Sequence, residues 1–346
     1  VLLQIRYPAA VRTETGAVRE QDPAYKIYQR YRYAYDTYGY LFLSENTGED
    51  SQGRRDGEQS FQEGKGSLEQ EEEKKDGFQE ESLWPKEGEE AAQITLAQLQ
   101  DYDFLMKHFY SVHASTTAGR DLMKADMLLG TGMKLEQNPQ VPQILIYHTH
   151  SQETYADYGP ENPEATIVSC GEYLAELLRD RGWNVIHDTG TYDIQGGKLD
   201  RNRAYNYALD GITGILQENP EIQVILDLHR DGVKEGTRLI SQVNGKETAK
   251  IMFFHGMSRT PEGEIAYLPN PYLKENLAFA FQMQFAAEGL YPGYTRKIYL
   301  KGLRYNLHLR GRSALIEVGA QTNTLQEAMN AMEPLAELLD RVLQGN

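Results

Sequence analysis

Ile144-Leu145-Ile146-Tyr147-His148-Thr149-His150-Ser151-Gln152-Glu153 changes character in its middle. Four consecutive apolar residues are too few for a buried helix and suit a strand covered on both faces. The run passes without a break into a polar turn carrying two imidazoles and a carboxylate. Outward from it the texture repeats. Positions 164–181 place Val168, Tyr173, Leu174, Leu177 and Leu178 at helical spacing and stop at Gly182, and 183–186 predict a second strand. Positions 200–217 predict a helix closed by Asn219-Pro220, and 222–228 a third apolar strand. Strands are also expected over 238–243, 251–254 and 313–318, with helices over 273–288, ended by Gly289, and 324–343. This alternation predicts an α/β three-layer sandwich: a mostly parallel central sheet with helices on both faces.

Three polar clusters lie at the ends of the apolar strands: His148–Glu153, Asp227-Leu228-His229-Arg230-Asp231, and Glu317 within Leu315-Ile316-Glu317-Val318-Gly319. Open α/β sheets bind ligands beyond the carboxyl ends of their strands, so the three clusters can meet on one edge. Imidazole and carboxylate are the donors zinc takes, and a catalytic site keeps one position open. His150 and Glu153, three residues apart, can face one ion from a tight turn, and His229 completes the set. Glu317 is then the general base. Strand alternation turns His148 to the other face from Thr149, which makes it a donor behind the site or a ligand in place of His150. Asp231 either orients an imidazole or caps the next turn, beside Arg230. Asp200 is expected to cap a helix, with Arg201 lining the site. Arg304, in Arg304-Tyr305-Asn306, either holds a substrate carboxylate or forms a surface ion pair. His108, His113, His187, His255 and His308 match no carboxylate pattern, and Cys170 reads as a small buried hydrophobe.

The 346-residue chain has a net charge of −16, from 35 Lys+Arg against 51 Asp+Glu. Positions 45–90 alone hold 16 acidic and 6 basic side chains, so most of the charge sits in one glycine-rich window. That composition predicts a disordered acidic linker over 45–92, with an acidic docking tail as the alternative. Before it, 1–44 is a Tyr-rich segment. Its Tyr28, Tyr31, Tyr35, Tyr38 and Phe42 follow a helical seam, while Tyr31, Tyr33 and Tyr35 also alternate as in a strand. After it, 93–142 predict a short helical pre-domain, opened by a Thr95/Gln98 capping box and carrying Leu99, Tyr102, Leu105 and Phe109 on one face. A second helical piece is expected over 119–129. The remainder, 143–346, is the catalytic domain. An acidic chain repels a phosphate backbone, which argues against nucleic acid as a partner. One cysteine excludes an intrachain disulfide and a multi-cysteine metal site. There is no GxSxG, Walker A or dinucleotide fingerprint in the right context.

Read in order, the stretches 144–155, 227–231, 275–280, 304–306 and 317–324 resemble the stage II sporulation protein P family of endospore-forming bacteria. The likeness runs through about 143–343, and the stretch with Phe109, Tyr110 and Thr116 resembles the family's pre-domain. It implies a zinc-dependent N-acetylmuramoyl-L-alanine amidase fold that trims stem peptides from peptidoglycan, with endopeptidase action on crosslinks also attributed to the family. Ligands would fall on His150, Glu153 and His229, and the acid/base on Glu317. The resemblance further implies stage II sporulation proteins D and M as partners. It implies a membrane anchor upstream of Val1, and work at the extracytoplasmic face of the septum or engulfing membrane between mother cell and forespore. A zinc deacetylase or carboxypeptidase, and a non-catalytic peptidoglycan-binding module, are the competing readings of the same residues.

Overall fold

The computed structural model describes residues 94–201 and 203–345. The Tyr-rich segment and the acidic linker expected over 1–92 lie outside them. Thr95 opens the described chain as expected: it accepts from the Gln98 backbone while Gln98 returns a bond to the Thr95 N–H, capping α1 (Leu96–Gln100). Then come α2 (Tyr102–Phe109), β1 (Tyr110–Val112), α3 (Ala125–Gly130), β2 (Ile144–Tyr147), α4 (Ile167–Asp180) and β3 (Val185–His187). A small hairpin, β4 (Ile194–Gln195) with β5 (Lys198–Leu199), precedes α5 (Ala204–Glu218) and β6 (Val224–Asp231). The second half holds the hairpin β7 (Ile240–Val243) with β8 (Lys246–Ala249), then β9 (Ile251–Gly256) and the short pair β10 (Arg259–Thr260) with β11 (Gly263–Glu264). It closes with α6 (Leu273–Leu290), β12 (Ile298–Lys301), β13 (Ser313–Ala320) and α7 (Leu325–Gln344).

Seven strands form one sheet in the order β1-β12-β9-β13-β6-β2-β3. Every neighbouring pair is parallel except β13 with β9. The expected α/β sandwich with a mostly parallel sheet is therefore present. Its two faces are covered unequally. On the first, Ile144, Leu226, Leu228, Phe253, Leu300 and Ile316 join side chains of α4, α6 and α7 in the main hydrophobic cluster. On the second, Leu145, Tyr147 and Ile225 pack against Ala208, Ile212 and Leu216 of α5, with Leu309. Alternation along each strand sorts the residues between these faces.

Two strands of the seven-stranded sheet, and the short strands β4, β5, β8, β10 and β11 outside it, escaped the sequence reading. β12 is a four-residue run with half-polar partners, and β1 follows α2 without an intervening turn signal. The stretch expected as a helical pre-domain thus also supplies an edge strand, and its Leu99, Leu105 and Phe109 are part of the main cluster. Asp200 is not the N-cap of α5: that position is Arg203, whose N–H donates to Asp200 Oδ1 at 3.3 Å. Gly289 does not end α6, which runs on through Leu290. No helix among the described residues is long and apolar enough to cross a membrane.

β9 ends on Gly256, where a Cβ would stand 2.6 Å from the Arg304 carbonyl oxygen. The backbone of 303–304 crosses that strand end directly, and only glycine leaves room. Gly256→Ala should lower stability by about 1–3 kcal/mol, the scale of overpacking a tight site, as read by urea unfolding. An unchanged midpoint would show that the crossing can shift without cost.

Candidate metal centre

Ile225, Asp227 and His229 alternate onto the second face of β6. β13 pairs with β6 in register, setting Glu317 directly beside His229. On the other side of β6, β2 stops at Tyr147, and the turn that follows lifts His150 and Glu153 over the same edge. The donor atoms of His150, Glu153 and His229 all lie within 4.8 Å of one another. Glu153 is central: Oε1 is 3.5 Å from His150 Nδ1, and Oε2 is 3.6 Å from His229 Nδ1. Those spacings are close to about 3.3 Å, the edge of a tetrahedron with zinc-length bonds. His150 Nε2 and Glu317 Oε2 are buried without hydrogen-bond partners. Two imidazoles and one carboxylate, with unsatisfied polar atoms around them, fit a catalytic zinc centre that keeps one position open.

Hydrogen bonds behind the cluster hold its parts in place. Asp227 accepts from Thr149 N at 2.9 Å and Thr149 Oγ1 at 2.7 Å, and its Oδ1 lies 2.9 Å from His229 Nε2. That last contact is an ion-pair distance without hydrogen-bond alignment, since His229 Nε2 has no aligned partner. Asp193 accepts from Ser151 Oγ at 2.9 Å and Gln152 N at 3.1 Å, anchoring the turn that carries His150. Arg230 N donates to Glu153 Oε2 at 2.9 Å, and Arg230 Nε donates to the Thr154 carbonyl at 2.9 Å. Tyr205 stands beside both imidazoles, its ring centroid 6.3 Å from that of His229 and 5.5 Å from that of His150.

Electrostatics follow from burial among charges. Burial alone would lower the His229 pKa, but Asp227 and then Glu153 raise it well above the ordinary imidazole value. Burial opposes ionisation of Glu153 too, yet the His150 and His229 imidazoles beside it hold its carboxyl far below the usual range. Glu317 goes the other way. Burial pushes it up to about 8, against the pull of His229 and with Glu153 and Asp231 adding to the rise. A carboxyl that carries its proton near neutrality is suited to general acid–base work.

Of the residues singled out in the sequence, the structure brings His150, Glu153, His229 and Glu317 together. It does not bring His148, whose Nδ1 meets the Leu228 carbonyl at 3.0 Å and whose Nε2 meets His187 Nε2 at 2.9 Å, away from the cluster. Burial and then His187 lower the His148 pKa to about 3. Asp231 orients no imidazole; it pairs with Arg296 at 2.6 Å and accepts from Gly232 N. Arg201 lines the site, with Nη1 4.0 Å from Glu153 Oε1. Arg304 is buried rather than displayed on the surface, with Nη1 3.4 Å from the Pro269 carbonyl. Two residues were missed, Asp193 in a loop without a motif and Tyr205 in a helix where an aromatic ring reads as packing. Asp227 was named in its cluster but given no role. For Asp227 a signal existed: a charge two residues before a ligand, on the same strand face.

The family model described as stage II sporulation protein P (SpoIIP) matches residues 31–340. The chain belongs to that family. Stage II sporulation protein P of Bacillus subtilis (strain 168) is 25% identical over 217 residues, which is 58% of this chain and 50% of that protein. The match thus spans about half the length of this curated relative. Among solved structures, the CwlD amidase of Clostridioides difficile, in complex with the GerS lipoprotein, is 15% identical with a TM-score of 0.38, over 59% of this chain and 97% of that one. The N-acetylmuramoyl-L-alanine amidase AmiC2 of Nostoc punctiforme is 11% identical with a TM-score of 0.35, over 61% and 98%.

The raised Glu317 pKa sets a pH dependence for metal-free protein. Below about pH 4.5 both folded and unfolded states hold the proton, so this group contributes nothing. Between there and about 8 only the folded state holds it, so stability falls as pH rises, and the full penalty stands above 8. Chelator-treated Glu317→Gln should therefore be more stable than wild type above pH 8, with the difference vanishing below 4.5, by denaturant unfolding across pH. Equal pH profiles would contradict the assignment.

Proposed function

We propose that the chain is a zinc-dependent peptidoglycan hydrolase that cleaves the amide between N-acetylmuramic acid and the L-alanine of the stem peptide. The observation that carries this reading is the placement of Glu317 one strand from His229, beside the His150–Glu153–His229 cluster. Membership of the stage II sporulation protein P family supports the substrate class. His150, Glu153 and His229 would hold the zinc, which when bound supplies Lewis-acid activation of water and of the scissile carbonyl. Asp227 faces His229 Nε2 and leaves Nδ1 toward the cluster, the arrangement by which an outer carboxylate fixes the tautomer of a ligating imidazole. Glu317 takes the proton from the attacking water and returns it to the departing amine. Its burial keeps proton uptake and release close to neutral pH. Arg230 and Asp193 hold the turn that carries two ligands.

Within the same reading, the enzyme works on the extracytoplasmic face of the membrane at the mother cell–forespore septum or engulfing membrane. It acts there with stage II sporulation proteins D and M, tethered by an upstream anchor. Family membership is what supports these assignments.

Glu317→Gln should keep zinc but lose hydrolysis of purified sacculi by about two to four orders of magnitude. His229→Ala should lose zinc by elemental analysis, and Asp227→Asn should weaken it about 10–100-fold. Mass spectrometry of the released material separates the readings. Chelator-sensitive release of peptides beginning with L-alanine supports the amidase, whereas acetate release would make it a deacetylase. Loss of a single terminal residue from the stem would make it a carboxypeptidase.

A further inference from the structure

Asp231 ends β6, and Arg296 stands two residues before β12. In the sheet order β9 and β13 lie between those two strands, yet Arg296 Nη1 donates to Asp231 Oδ2 at 2.6 Å. The guanidinium therefore reaches across the ends of both intervening strands. Glu317 is on β13, flanked in register by His229 of β6 and Met252 of β9. Arg296 is anchored on the β9 side, where its backbone N–H donates to the Ile251 carbonyl at 2.7 Å. Asp231 and Arg296 are both near enough to act on the Glu317 carboxyl, the first raising its pKa and the second lowering it.

A strap that only closed the sheet edge would spend its donors there. Arg296 does not. The contact with Asp231 is the one hydrogen bond of its side chain among the described residues, made through one of five N–H donors, and that side chain is 30% exposed. Asp231 is satisfied on both oxygens, since Oδ1 accepts from Gly232 N at 2.7 Å. Two other arginines at the centre are placed differently. Arg230 donates to the carbonyls of Thr154 and Asp231, and Arg201 lies beside Glu153, among the ligands. Of the three, Arg296 is the one on the Glu317 side.

That side matters for amide cleavage. Glu317 hands its proton to the departing amine, so the leaving peptide lies against Glu317. The amine belongs to L-alanine. The next residue of a peptidoglycan stem is glutamate joined through its side chain, which leaves an α-carboxylate one residue from the cut. We propose that Arg296 is the specificity-determining residue for that carboxylate: Asp231 holds one edge of the guanidinium, and its open N–H donors take the α-carboxylate of the second stem residue as L-alanine leaves past Glu317. The inference rests on the amidase reading above. A planar fork suits the task, because it serves two carboxylates from different edges. A stem capped there as the carboxamide would lose the charge on that contact.

The test uses the full zinc-loaded chain and pairs of probes that differ at one group. These are free stem peptides beginning with L-alanine, and soluble muropeptides, each with a carboxylate or a carboxamide on the second residue. Wild type should bind the carboxylate peptide about tenfold more tightly, the scale of one charge-assisted hydrogen bond. Arg296→Gln should bring that ratio close to one, and Arg296→Lys, which keeps the charge without the fork, should fall between. In turnover, Arg296→Gln should narrow the gap in KM between the two muropeptides, with zinc content at the wild-type level. Equal binding of the two peptides by wild type would overturn the subsite. So would a wild-type ratio in both variants, or a loss of equal size for both substrates, which is what a purely structural strap would give. If Arg296→Gln does not fold, the wild-type ratio and Arg296→Lys decide. A wild type that distinguishes the peptides through Arg296 yet leaves sacculi uncut would refute the amidase reading and leave the subsite standing.

Discussion

The buried carboxylate of Asp227 is the constraint around which the rest of the centre is arranged. It is paired in register with Tyr147, the last residue of β2, so its oxygens meet the chain as that strand ends. There it takes both donors of Thr149 and faces His229 from behind. One group thereby fixes where β2 turns, how His150 is delivered, and which nitrogen of His229 looks inward. Its burial raises the stakes. Removing one partner from a buried charged set leaves the other unpaired in low dielectric, which typically costs about 3–5 kcal/mol. The carboxylate is thus a structural requirement before it is a chemical one.

A second organising feature is the reversal at β9. Because β9 runs against β13, the sheet presents two halves in opposite directions. One half ends its strands at the metal centre under α5; the other carries the rings of Phe254 and Tyr299 across the same face. Gly256 and the crossing backbone of 303–304 hold the turn of Tyr305 and Asn306, both in the left-handed region, above that second half.

Much of this was legible in the sequence because hydrophobic runs and polar ends were cleanly separated. Positions 144–147, 251–254 and 313–318 all read as strands, since short apolar runs bounded by polar residues have few other uses, and the structure extends the last two to Gly256 and Ala320. His150, Glu153, His229 and Glu317 were readable for the same reason, as polar groups at the ends of such runs or within one. What could not be read depends on the third dimension. Asp227 looks like an interruption in an apolar strand until its register with Tyr147 is known. Tyr110–Val112 pairs with Ile298–Lys301 across a long sequence separation, and neither short run announces itself. Of the two carboxylates that flank His229 on the same face of β6, Asp227 faces the imidazole, while Asp231 is taken by Arg296 and the Gly232 N–H.

The central claim is that His150, Glu153 and His229 form one metal site, with His148 outside it. Anomalous scattering at the zinc edge from crystals of the zinc-loaded protein tests it most directly. The account predicts a single strong peak bonded to both imidazoles and to the Glu153 carboxylate, with Glu317 near but not bound. A peak on His148 and His187, or a peak that leaves Glu153 uncoordinated, would contradict it.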